Sequence, residues 1–154
     1  MTASETTLTG ERADLAQALG KQRFFLKNTT RDVTDEQAAQ RTTASELCLG
    51  GLIKHVAYVE QRWARFIVEG PAAMSAHQSE AGMQAWLEAF GMLPGETLAG
   101  VLSDYDEVAS QTSEILASVP DLDAAQPLPD APWFEKGARW SARRVLLHII
   151  AETA

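Results

Sequence analysis

A chain of 154 residues with 45% hydrophobic composition has material for one packed core and is expected to form a single domain over residues 1–154. Thirteen basic residues against 21 acidic ones leave a formal charge of −8, which repels phosphate backbones and anionic lipid, so nucleic-acid and membrane partners are disfavoured. The single cysteine, Cys48, excludes an intramolecular disulfide; with no basic-then-apolar leader and no apolar run of membrane length, the chain reads as soluble and cytoplasmic.

Residues 1–8 are Thr-rich and lack periodicity, which suggests a loose tail. From about Thr9 to Asn28 the apolar residues Leu15, Ala18, Leu19, Phe25 and Leu26 fall on one helical stripe, weakened but not ended by Gly20. Thr34 and Gln37 are spaced as a capping box, so one or two turns of helix follow them. The central stretch Leu47–Phe66, expected to start at Thr43 or Ser45, carries Leu49, Leu52, Ile53, Val56, Val59, Trp63, Phe66 and Ile67 at helical spacing and ends at Gly70-Pro71. His55 lies three residues after Leu52 and four before Val59, on the border of that apolar face. Residues 71–95 allow a short connecting helix around GMQAWLEAFGM, and His77 within them is expected to be exposed. A third long helix spans about Thr97–Val119, with Leu98, Val101, Leu102, Tyr105, Val108, Thr112, Ile115 and Leu116 on one face. Pro120 stops it, and Pro127, Pro129 and Pro132 make the next twenty residues an extended surface connection.

Ser141 can cap the last helix, ARRVLLHIIAETA, with Trp140 stapled onto Val145. No glycine, proline or basic turn ends that helix, and the expectation is a chain cut short relative to a natural parent. Four amphipathic helices, a short first link and two long ones predict an all-α four-helix bundle in up-down-down-up order.

His148 and Glu152 stand four residues apart on a face that Val145 and Ile149 turn toward the core. A carboxylate there needs a cation or donors, and a metal with an imidazole from a facing helix is one solution; a polar pair at a frayed, solvated end is the other. A di-iron centre is excluded, because no glutamate precedes a histidine by three. Cys48, seven residues or ~10.5 Å of rise before His55, is too far to share a metal and reads as a small buried side chain. Tyr58 can line a pocket beside His55 or simply pack. Arg139, Arg143 and Arg144 cluster at the start of the last helix, where they can seat an anion or remain solvated. The four tryptophans, Trp63, Trp86, Trp133 and Trp140, are core and staple residues first.

The runs GGLIKHVAYVEQRW, PLPDAPWFEKGARWS and RRVLLHIIAETA together resemble the DinB-like superfamily, in its branch of mycothiol-dependent transferase and maleylpyruvate-isomerase-like proteins. The likeness covers nearly the whole chain. It implies a four-helix bundle binding one divalent metal, zinc or nickel, with one ligand from the second long helix and two from the last. His55 matches the first and Glu152 the carboxylate; the remaining ligand would be a histidine four residues after Glu152, and the chain ends at Ala154. His148, one turn earlier on the same face, is the substitute this sequence offers, although it is not the expected ligand. Tyr58, Arg143 and Arg144 are the substrate-binding candidates.

The resulting expectation is a metal-dependent transferase that presents a low-molecular-weight thiol such as mycothiol to a small electrophilic substrate, with a homodimer as the expected assembly. The rival expectation is a non-catalytic ligand-binding or stress-response bundle. A DNA-damage regulator, suggested only by the superfamily's name, is opposed by the net charge.

Overall fold

The computed structural model describes residues 7–154, apart from the side chains of residues 76–78. Most of the tail expected at residues 1–8, and the exposure expected for His77, therefore lie outside the described residues.

Local sequence sets most of the helix boundaries. α1 (Gly10–Asn28) follows Thr9 and runs through Gly20 as expected. α2 (Asp35–Ala39) starts on the capping box, the Thr34 hydroxyl accepting from the Gln37 amide and the Gln37 side chain accepting from the Thr34 amide. α3 (Leu49–Glu69) starts later than Thr43 or Ser45 predicts. The Thr43 and Ser45 hydroxyls instead accept from the amides of Ser45 and Leu47, two residues on, which holds that segment in turns. Buried Cys48 is the cap, its Sγ accepting from the Gly51 amide at 3.3 Å. Gly70, at φ 69°, closes α3 ahead of Pro71, and a 3-10 helix covers Gly70–Gln78. α4 (Glu80–Glu88) is capped by Ser79, α5 (Leu98–Ser118) by Thr97, and α6 (Ala142–Thr153) by Ser141.

The connection after Pro120 is extended as expected, and to the all-α expectation it adds one feature. Residues Ala125–Pro127 (β1) and Arg139–Ser141 (β2) pair as a small antiparallel hairpin, Gln126 opposite Trp140. Strands of three residues show no alternation, and Pro127 lies at a strand end, where its missing N–H costs no ladder bond. The hairpin delivers the chain directly into the α6 cap.

α3 is central: it packs on α5 and on α6, while α1 packs on α6 and α5. One core cluster joins Leu15 and Leu19 of α1, Phe66 and Ile67 of α3, Leu116 of α5, and Val145, Leu146 and Ile149 of α6. A second joins Ile53 and Val56 to Val101 and Tyr105. The buried stripe of α3 runs through Ile53, Val56, Glu60, Ala64 and Ile67, slightly rotated from the expected one, so that Leu52 is exposed and Glu60 is fully inside. Glu60 is held by Arg23 of α1, whose Nε and Nη2 both donate to its carboxylate. Among the described residues, no helix is long and apolar enough to cross a membrane.

Candidate functional site

The residues 80–96 do more than connect. Lys54 of α3 donates from its ammonium to the carbonyls of Glu88 and Gly91 and to the Glu96 carboxylate, each at 2.9 Å, and so clamps the end of α4. The Phe90 carbonyl accepts from the Cys48 amide, and Gly51 lets that backbone pass where any Cβ would overlap it. This close approach lays the Phe90 ring on His55, centroids 5.3 Å apart and 27° from parallel. His55 is half-buried, and its Nδ1 is buried with no hydrogen-bond partner.

Further along α3, Trp63 stacks on Trp140 at 4.9 Å and meets the His148 ring edge-on at 4.8 Å. Trp140 thus packs on α3 and on His148, not on Val145 alone as a staple would. Burial holds the His148 pKa below the ordinary histidine value, with the charge of Arg144 acting in the same sense and Glu152 opposing. His148 Nε2 lies 3.7 Å from Glu152 Oε1, and the Glu152 carboxylate is half-exposed. Burial thus favours the neutral form of this imidazole.

The arginine cluster divides. Arg143 is engaged by ion pairs with Glu11 and Asp123, and Arg139 donates to the Ala125 carbonyl. Arg144 lies over the Trp140 ring at 4.8 Å, beside His148. Tyr58 lines a separate cleft of about 440 Å³ between α3, α4 and α5, and burial raises its pKa.

A divalent ion needs donors whose lone pairs are not already engaged. His55 meets that test through its orphaned Nδ1, and Glu152 through a carboxylate whose only ion-pair neighbour among the described residues is His148. Among the described residues no cluster of three or more His, Cys, Asp and Glu side chains could hold a metal ion. His55 and Glu152 are thus two candidate donors, and among the described residues no third such side chain completes a group with them, against the three protein ligands usual in catalytic zinc sites.

Two groups escaped the sequence reading. Glu60 falls on the i, i+4 stripe Val56–Glu60–Ala64, which could have marked it as buried. Arg62 lines a cleft with Trp63 and Trp86; as an arginine four residues after a tyrosine it looks like an ordinary surface pair, and no local signal distinguishes it.

A family model described as mycothiol-S-transferase matches residues 14–154. No curated protein and no solved structure matches the chain.

Proposed function

Since the chain belongs to the mycothiol-S-transferase family, a DinB-like family, we propose that it joins the thiol of mycothiol to a small electrophile at the side of the molecule carrying His55, His148 and Glu152. The membership bears out the resemblance read from the sequence and supports the reaction class. The observation that carries the location is the buried, unpartnered Nδ1 of His55.

In such a transfer the thiol loses its proton, sulfur attacks the electrophilic carbon, and the leaving group departs with the bonding pair. His55 and Glu152 are the side chains that would hold a divalent ion, zinc or nickel, which when bound favours thiolate over thiol at neutral pH. Neutral His148 takes the thiol proton, and the nearby Glu152 carboxylate stabilises the imidazolium that results. The rings of Trp63 and Trp140 cover part of this imidazole, whose side chain stays 28% exposed. Arg144, which rests on the Trp140 ring, is better placed to meet an anionic part of a ligand than Arg143, which is engaged by two carboxylates. Tyr58 serves the neighbouring cleft. The up-down-down-up order of the four long helices belongs to this reading, as does a homodimer, for which the exposed Phe24 and Phe25 of α1 are the apolar surface.

A second reading, ligand binding without turnover, is favoured by the two-donor count among the described residues. Turnover separates the two. With mycothiol and chlorodinitrobenzene as a probe electrophile, the expected products are the aryl thioether and one chloride per thiol consumed, formed well above the protein-free rate. Equal rates with and without protein would leave only the binding reading.

A further inference from the structure

A cleft of about 520 Å³ opens between α3, the 3-10 helix, α4 and the loop before β2, with Trp63, Trp86, Met83, Trp133 and Phe134 among its walls. It adjoins both halves of the site just described: Trp63 packs against His148, and Trp86 packs edge-on against Phe90, the ring that lies on His55. Apolar groups here face outward at some cost, Trp133 being 77% exposed and Met83 46%.

Arg62 lines this aromatic cleft from within. Arg62 is half-buried, its Nε is buried without a hydrogen-bond partner, and its Nη2 meets the Met74 sulfur at 3.3 Å. The guanidinium lies 5.6 Å from the Tyr58 ring centroid. Among the described residues it makes no ion pair, and burial pulls its pKa down. The acid of the cleft, Asp130, is exposed on the loop. A partly desolvated guanidinium without a counter-charge is unfavourable in the free protein and becomes favourable when an anion docks on its fork. With a chain charge of −8, long-range attraction does not supply that anion; selectivity has to come from Arg62 itself.

We infer that this cleft binds an aryl carboxylate, its flat ring among Trp63, Trp86 and Phe134 and its carboxylate on Arg62. This deepens the proposed function by naming the class of the co-substrate, an aryl carboxylate that also bears the electrophilic carbon and its leaving group, and rests on that reading for the chemistry alone, because the binding needs no thiol.

Titration calorimetry with naphthoate and its neutral isostere naphthamide, in the absence of thiol, tests it. The unsubstituted protein is expected to bind naphthoate about 10- to 100-fold more tightly than naphthamide, the range of a charge-assisted pair. Arg62→Gln should erase that preference while retaining naphthamide affinity, which also reports that the cleft is still formed. Arg62→Lys should keep part of the preference, and Trp133→Ala should weaken both ligands by a similar factor. Equal affinity for the two ligands in the unsubstituted protein, or a preference that survives Arg62→Gln, would overturn the assignment. Either result leaves mycothiol turnover of a neutral electrophile untouched, so the two failures are distinguishable.

Discussion

Glu60→Ala is expected to lower the stability of the protein by about 3–5 kcal/mol, the usual cost of breaking a buried ion pair from one side. Glu60 is 1% exposed and Arg23 13%, so the carboxylate has no water to fall back on and the guanidinium little. Removing the carboxylate strands the Arg23 guanidinium, whose other hydrogen bond among the described residues is a long, 3.4 Å contact with the Ser113 hydroxyl. The effect extends to the neighbouring helix. Tyr105 of α5 is wholly buried, and its pKa is raised first by burial and then by the charge of Glu60. Urea unfolding gives the measurement. Because the penalty comes mainly from the orphaned partner, the double substitution Arg23→Met, Glu60→Leu should recover most of the loss. A single-variant loss below about 1 kcal/mol, the level of an exposed pair, would mean that the pair is solvated.

Gly51→Ala is expected to destabilise by about 1–3 kcal/mol, as overpacked cores do, although alanine is the better helix former by ~1 kcal/mol. Its Cβ would overlap the Phe90 carbonyl oxygen and carbon, which are backbone atoms and cannot rotate away. The end of α4 has to retreat, taking the Phe90 ring off His55 and loosening the Lys54 clamp. Gly20→Ala is the control. Gly20 lies inside α1 on an exposed position, and a Cβ added there would meet nothing within 4 Å, so the same change should stabilise by about 0.5–1 kcal/mol. Thermal melts of the two variants should therefore move in opposite directions. Matching shifts would show that α3 and the α4 end are not in close contact.

What was legible in the sequence follows from the range of the interactions. Caps are local, so Thr34, Thr97 and Ser141 mark their helices correctly, and Gly70-Pro71 ends the central one. The start of α3 is misplaced by the same reasoning, because Thr43 and Ser45 are good cap residues that find turn partners closer by. The hairpin is invisible, since its register depends on residues twelve or more apart along the chain. His55, His148 and Glu152 can be singled out from helical spacing and from chemistry. Their surroundings cannot. The ring on His55 comes from the end of α4, the rings on His148 come from α3 and the residue before the α6 cap, and Arg62 becomes unusual only once no acid among the described residues is found paired with it. Such facts are made by tertiary contacts, which no periodicity encodes.

The most direct test of the proposed site is the rate of mycothiol conjugation by His55→Ala beside the unsubstituted protein, with folding of both checked by melting. His55 is half-buried and stacks on the Phe90 ring, so its loss should leave Tm within a few degrees. A fall in kcat/KM of at least ~100-fold is expected for removal of the side chain proposed to hold a metal. A His55→Ala rate within about twofold of the unsubstituted protein would contradict the assignment and move the chemistry away from this side of α3.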